Sequence, residues 1–243
     1  MHCINSSSTD PFFNLAAEEY LFRHVTEACF VLWCNEPSVI VGRHQNVFAE
    51  INSPYIRQHD VKVVRRLSGG GAVYHDLGNL NFTFIDNRQN TEQIDFKSYQ
   101  TIIIAMLQQL GIQAEAGKRN ELLLNGKKIS GTARHVTNKR ILHHGTLLFS
   151  ADLDAVEEAL RAPAVKLTTK AIQSVHSPVT NISEHLPVPT TMATFRTQVL
   201  QYMMEHLPNA RPYSYSQADL QAIERLRNEK YVSWEWNYGQ SPQ

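Results

Sequence analysis

Cysteine is scarce in this chain: Cys3, Cys29 and Cys34 are its only three in 243 residues. An odd count without repeated spacing argues against a disulfide framework, and no CxxC pair provides the usual zinc pattern. Net charge is also lacking. Lys+Arg and Asp+Glu are 23 each, so the basic excess expected of a nucleic-acid binder is missing. No run approaches the ~20 consecutive apolar residues of a membrane span. The opening MHCINSSSTDPFF has neither a basic n-region nor an apolar h-region, so no secretory signal is expected. These absences point to a soluble cytoplasmic protein with no nucleic-acid or membrane partner. What is present is ordinary globular composition, 42% apolar and 19% charged, enough for one large domain or two small ones with a full core.

The pattern of elements is legible in outline. Asp10 can cap a helix that Pro11 begins, and the helix runs on from Phe12 to His24. CFVLWCN and SVIVGRH read as two strands parted by Glu36-Pro37. Ser53-Pro54 opens a short helix ending near His59. VKVVRR is a strand that enters the turn SGGG, followed by the strands AVYH and NLNFTFI. Phe96, Tyr99, Ile103, Met106, Leu107 and Leu110 recur at helical spacing, and Gly111 stops that helix. Asn125-Gly126, between ELLL and KKISGTA, is a two-residue hairpin turn. HHGTLLF is a strand and Asp152 to Leu160 a short helix. Residues 161–190, rich in proline, serine and threonine, read as a long loop of the kind that often serves as a lid. Helices follow over Met192–His206 and Ser216–Lys230, and the aromatic end SWEWNYGQSPQ reads as strand-like. Strands in succession, interleaved with helices, predict an α+β fold with mixed, mostly antiparallel sheets flanked by helices.

Several segments carry chemistry. In Arg65-Arg66-Leu67-Ser68-Gly69-Gly70-Gly71 a strand delivers arginines to a three-glycine turn. Glycines let a backbone approach a ligand closely and turn successive N–H groups into an anion nest, and arginine offers a fork for phosphate or carboxylate. The spacing fits neither a Walker loop nor a Rossmann fingerprint. Taken alone, the triplet reads as well as a mobile turn with a solvated arginine pair. In the hairpin, Lys127 and Lys128 lie on opposite strand faces, so only one can point inward. A partly desolvated lysine on a rigid strand suits a phosphate or a developing oxyanion, whereas two exposed hairpin lysines are the plain alternative. Asp76-Leu77-Gly78-Asn79-Leu80-Asn81 offers carboxamides that could read a base or ribose edge, or merely turn chemistry. His143 and His144 point apart on their strand and are poor joint metal ligands. The loop from Lys166 to Asn181, with Lys170, His176 and Thr180 around Pro178, is placed to close over a phosphate.

Together and in this order, PSVIVGRHQN, RRLSGGGAVYHDLGN, KRNELLLNGKKISGTA, HHGTLLF, KAIQSVHSPVTNI and SWEWNYGQSP resemble the lipoate–protein ligase A family of the biotin/lipoate ligase superfamily. Each piece is weakly specific; the glycine-triplet segment followed by Lys-Ile-Ser-Gly is highly specific. The resemblance implies two reactions. Lipoate attacks the α-phosphate of ATP, assisted by Mg²⁺, to give lipoyl-AMP; a carrier lysine then attacks the mixed anhydride. It implies Lys128 as the catalytic lysine bridging phosphate and carbonyl oxygens. It further implies that Arg66, Ser68, Gly70, Gly71, Ala72, Val73, Tyr74 and His75 line the nucleotide and acyl site, with Asn79 on the adenine side. Asn120, Ser130, Gly131, His144 and Thr146 would complete the walls, and Lys170, Val179 and Thr180 would belong to the covering loop. The implied partners are apo lipoyl domains of 2-oxoacid dehydrogenase E2 subunits and the glycine-cleavage H protein.

There are departures from the family pattern. Many members have three arginines before Ser-Gly-Gly-Gly, whereas Leu67 stands third here; a small effect is expected because Arg65 and Arg66 remain. The biotin-ligase GRGRxGR loop is missing, which favours lipoate. Bacterial ligases of this type usually continue into a small C-terminal domain, so residues 1–243 are expected to be the catalytic domain alone. Either the chain was cut, a separate accessory subunit supplies the rest, or only transfer from lipoyl-AMP occurs. An octanoyltransferase of the same fold needs a nucleophilic cysteine at the acyl site, and all three cysteines lie before residue 35. A non-catalytic lipoyl-binding module is the remaining alternative.

Overall fold

The large sheet is built from strands that bury both faces. The computed structural model describes residues 1–87, 97–161, 171, 173–174 and 177–241. Its strands are β1 (His2–Asn5), β2 (Cys29–Trp33), β3 (Ser38–Val41), β4 (Lys62–Arg65), β5 (Val73–His75), β6 (Asn79–Asn87), β7 (Glu115–Ala116), β8 (Glu121–Leu124), β9 (Lys127–Val136), β10 (Arg140–Leu148) and β11 (Arg211–Pro212). Eight form one sheet in the order β11-β1-β2-β6-β10-β9-β8-β7, and three form another in the order β4-β3-β5. The large sheet is antiparallel from β2 to β7, with β1 parallel to both its neighbours; in the small sheet only β3 and β4 are parallel. The α+β, mostly antiparallel expectation is met.

Side-chain alternation assigns the faces. On β2, Phe30 and Leu32 join one core cluster while Cys29, Val31 and Trp33 join another on the opposite face. On β6, Leu80, Phe82 and Phe84 enter the first core, packed against α4 (Lys97–Gln109) and α6 (Met192–His206). Each such buried side chain contributes about 1.5–3 kcal/mol. The alternate residues Asn79, Asn81 and Thr83 face the other way, and all three are buried. A buried polar row on a central strand needs partners. It faces α1 (Pro11–His24) and the small sheet, and the site lies there.

Local rules account for the ends of these elements. Asp10 caps α1 by accepting the Phe12 N–H at 2.9 Å, with Pro11 in the first turn. Asn125 and Gly126 have φ of 51° and 76°, the double left-handed geometry of a two-residue hairpin turn. The remaining helices are α2 (Val47–Glu50), α3 (Ser53–Gln58), α5 (Leu153–Ala159) and α7 (Gln217–Leu226). Within the segment expected to be all loop, Ile182–His185 forms a 3-10 turn. Arg227–Tyr231 continues the expected helix as a wide turn, but the strand-like reading of the C-terminal end is overturned: Glu235–Gly239 is a turn of wide helix. Ser233 Oγ accepts the Trp236 N–H at 3.2 Å, and Asn237 donates to the carbonyls of Tyr231 and Ser233, so local polar side chains close the helical turns. Phe96 lies outside the described residues.

Candidate active site

The two arginines before the glycine turn are structural hubs. Arg66 donates from Nε to Ser68 Oγ (2.9 Å), from Nη1 to the Ile40 carbonyl (3.0 Å), and from Nη2 to the carbonyls of Gly69 (2.7 Å) and Gly71 (2.8 Å). One arm of its fork holds the turn and the other holds β3 through the Ile40 carbonyl. Arg65 donates to the carbonyls of Gly42, Arg43, Gln45, Trp236 and Asn237 and to Ser241 Oγ. It thereby ties the C-terminal turns to the loop beside the glycines. Burial lowers each guanidinium to about 10, so both stay charged at neutral pH. The solvated-pair alternative is overturned as well, since both side chains are buried.

A buried hydrogen-bond line runs beneath the turn. His144 lies between Ser68 Oγ (2.6 Å from Nε2) and Glu18 Oε1 (2.8 Å from Nδ1). Thr83 donates to the same Glu18 oxygen at 2.6 Å, and Trp33 Nε1 donates to Thr83 Oγ1 at 3.1 Å. Glu18, His144 and Ser68 thus stand at the distances of a nucleophilic triad. Ser68, however, is fully buried, and its oxygen already accepts Arg66. The line fixes the walls of a site and presents no attacking hydroxyl.

The walls enclose a cavity of about 1050 Å³, counting its open mouth, between the two sheets. Leu15, Trp33, Ile40 and Val73 make one end apolar; Arg119, Asn120, Glu121 and Lys128 make the other end polar and charged. Lys127 is exposed while Lys128 turns inward, as strand alternation requires. Burial lowers the Lys128 pKa, with Arg66 adding to the effect and Glu121 opposing it. The Lys128 ammonium has no hydrogen-bond or ion-pair partner among the described residues. Its backbone is held on the far side: the Lys128 N–H donates to the Pro178 carbonyl (2.8 Å), and the Thr180 N–H donates to the Lys128 carbonyl (3.1 Å). Ser174 reaches the glycine turn from the same loop. Its Oγ accepts the Ala72 N–H (2.8 Å) and Gln45 Nε2–H (3.2 Å) and donates to Glu50, while its N–H donates to Glu50 Oε2 at 3.1 Å.

The described chain matches known proteins throughout. The family model for the lipoyl protein ligase A/B catalytic domain matches residues 10–204. Lipoate-protein ligase LplJ of Bacillus subtilis is 41% identical over 98% of this chain and 73% of its own length. Among solved structures, P. falciparum LipL1 in complex with lipoate is 28% identical with a TM-score of 0.79, covering 100% of this chain and 75% of that one. A bi-partite lipoate protein ligase from Thermoplasma acidophilum, studied with its E2 lipoyl domain, has a TM-score of 0.83 at 23% identity, covering 100% of this chain and 97% of that one.

This chain belongs to the lipoyl protein ligase A/B catalytic domain family.

Of the residues expected to form the ligase site, the cavity brings together Arg66, Gly70, Gly71, Ala72, Val73 and His75 from the turn and β5. It adds Asn120, Lys128 and Gly131 from the β8–β9 hairpin, and His144 and Thr146 from β10. Others stand off it. Ser68 lies under the turn, and Tyr74 packs into a third core cluster. Asn79 is buried and donates to Asn81 Oδ1 at 2.9 Å. Ser130 is buried with its hydroxyl unpartnered among the described residues. Val179 and Thr180 act through backbone pairing with Lys128. Lys166, Lys170 and His176 lie outside the described residues.

The cavity also takes in Asn81, whose carboxamide the sequence reading had singled out, whereas Leu15, Trp33, Ile40, Ser174 and the buried Glu18 were missed. Glu18 had a signal, a carboxylate in mid-helix within the apolar stretch NLAAEEYLF. The cysteines are all buried and off the cavity, and burial raises each thiol, Cys29 to about 12. A ligase site without a thiolate leaves a thioester route no nucleophile.

Proposed function

We propose that this chain is an ATP-dependent lipoate–protein ligase that binds lipoate and ATP in the cavity between its sheets. A lipoate carboxylate oxygen attacks the α-phosphorus, and the bond to pyrophosphate breaks. The amine of a carrier lysine then attacks the carbonyl carbon of lipoyl-AMP, the C–O bond to phosphate breaks, and AMP leaves with its electron pair. The carrying observation is Lys128, a half-buried ammonium with no hydrogen bond or ion pair among the described residues, on the wall of a cavity whose far end is apolar. Such a charge stabilises the phosphate and the developing oxyanion most where water is displaced. The glycine turn, rigidified by Arg66, holds the adenylate backbone. Ser174 and the strand-like contact at Val179 bring the covering loop over it.

Among the described residues no cluster of three or more His, Cys, Asp or Glu could hold a metal ion, and Glu121 is the one carboxylate on the cavity wall. The described residues offer no protein cage for Mg²⁺. We read the carriers as apo lipoyl domains of 2-oxoacid dehydrogenase E2 subunits and the glycine-cleavage H protein, in the cytoplasm. No described helix is long and apolar enough to cross a membrane. We read residues 1–243 as the catalytic domain.

The test is to follow an apo lipoyl domain by intact mass in two reactions, one with lipoate, ATP and Mg²⁺, the other with synthetic lipoyl-AMP. Lipoylation in both is the expected outcome. Product with lipoyl-AMP alone assigns activation to a separate piece. Product in neither, with folded protein saturable by lipoyl-AMP, refutes catalysis and leaves a binding module.

A further inference from the structure

Among the described residues the cavity wall carries one carboxylate, and the two anionic substrates of a ligase do not account for it. Glu121 opens β8, half-buried, at the polar end of the cavity. Its side chain has no hydrogen bond or ion pair among the described residues. A bulge sets its neighbour. Glu121 stands opposite Gly131 and Leu122 opposite Ser130, but Leu123 stands opposite Lys128, so Ile129 is one extra residue on β9. Glu121 and Leu123, two apart on β8, share a face, and their partners Gly131 and Lys128 share it with them. In an unbroken register Lys128 would turn to the face away from Glu121.

Glycine clears the space around both charges. A Cβ on Gly131 would stand 3.0 Å from Lys128 Cε and Nζ, and one on Gly117 would stand 2.4 Å from Glu121 Cγ. The ammonium thus rests on one bare stretch of backbone and the carboxylate on another. Burial lowers the Lys128 pKa and the Glu121 charge opposes that shift, yet the two form no ion pair. The other titratable groups lining the cavity are Arg66, His75, Arg119 and His144. A carboxylate on this wall repels ATP and lipoate, which are both anions. The cationic reactant is the carrier lysine, whose ammonium must shed a proton before its nitrogen can attack.

We propose that Glu121 receives the ammonium of the carrier lysine and acts as the base of the transfer step. This rests on the ligase reading above. The ammonium gives one proton to the Glu121 carboxylate. The freed lone pair forms the C–N bond to the carbonyl carbon of lipoyl-AMP, the C–O bond to phosphate breaks, and AMP leaves with its electron pair. The second proton passes from the nitrogen to the departing phosphate, and Glu121 returns its own to water. Lys128, on the same strand face, disfavours a second positive charge beside it and so promotes the first proton transfer.

The experiment is single-turnover transfer from synthetic lipoyl-AMP to an apo lipoyl domain, with the full chain in excess, for wild type and Glu121→Gln. Transfer by the variant should be slower by roughly 100-fold at pH 7.5. The deficit should shrink toward pH 9.5, because a lysine with a pKa of about 10.4 then reaches its neutral form unaided. Calorimetric titration should show lipoyl-AMP binding no weaker in the variant, which also establishes that it is folded. Transfer within about two-fold of wild type at pH 7.5 overturns the proposal. So does a deficit that stays constant with pH, or one matched by weaker lipoyl-AMP binding, since Glu121 would then be an adenylate contact. So does a wild-type rate that EDTA lowers to that of the variant, since Glu121 would then be a magnesium ligand. A folded wild type that modifies no domain refutes the ligase reading itself, and this assignment with it.

Discussion

Lys127 and Lys128 are chemically identical and differ in which side of a strand they occupy. Lys128→Ala removes a charge held against the cavity wall, and lipoyl transfer should fall by roughly 100-fold or more with the thermal midpoint little changed. Lys127→Ala removes a solvated charge, and steady-state rates should stay within about two-fold. The reverse pattern would mean that the strand register had been misread. This pair was legible in the sequence because alternation is a local rule. The roles of Arg65 and Arg66 were not, since the Arg65 guanidinium meets carbonyls of distant segments such as Trp236 and Arg66 reaches that of Ile40. His143 gives a separate test. Burial lowers it to about 3, it stacks on Tyr99 at 4.9 Å, and both ring nitrogens are unpartnered among the described residues. Its folded pKa lies below the unfolded value near 6.5, so the unfolded state binds the extra proton, and stability falls as pH drops from 6.5 toward 3. His143→Phe keeps the ring and removes that proton. Urea titrations at pH 7 and pH 4.5 should show a smaller acid loss in the variant, by about 1.4 kcal/mol per pH unit within the window. An equal loss in both proteins would refute the assignment.

The hairpin and the first helix were readable from turn and cap residues, because both are fixed within a few positions of the chain. The C-terminal segment misled, since its aromatic content favours strand while its contacts favour helical turns: Trp236 donates to the Arg65 carbonyl at 2.8 Å, and Asn237 accepts the Arg65 N–H at 2.9 Å. Arg65 therefore stabilises an element far from it in sequence. Arg65→Met strands several buried carbonyls and should cost about 3–5 kcal/mol in urea unfolding, by analogy with removing one partner of a buried charged group. A cost below about 1 kcal/mol would show that the tie is dispensable. Gly42 makes a second element-level prediction. A Cβ there would overlap the Gly70 carbonyl oxygen, so Gly42→Ala must displace the glycine turn. Lipoylation should fall more than about ten-fold, since small displacements of a positioning element are costly. Full activity would mean that the turn does not hold the substrate.

At the scale of the molecule, the cavity exists because two sheets meet with a polar row on one inner face. Fold class and the longer strands were legible from periodicity, whereas β1, β7 and β11 were not. The pairing of β6 with β10, which aligns Asn81 with Thr146 and Thr83 with His144, was not. It joins segments some sixty residues apart, and single-sequence patterns carry no signal of who pairs with whom. The same limit hid Trp33 and Glu18 from the predicted site, although both are buried. The clasp of Ser174 against Glu50 and Ala72 emerges only once the chain is folded.

The most direct test of a lipoyl-adenylate held between the sheets with Lys128 at its reacting end is single-turnover transfer. Enzyme in excess is mixed with lipoyl-AMP and an apo lipoyl domain, and the modified domain is quenched and weighed at intervals, for wild type and for Lys128→Ala. Such a site predicts rapid transfer by the wild type and a rate lower by about 100-fold in the variant, both proteins being folded. Equal rates, or no transfer by folded, adenylate-saturated wild type, would contradict it.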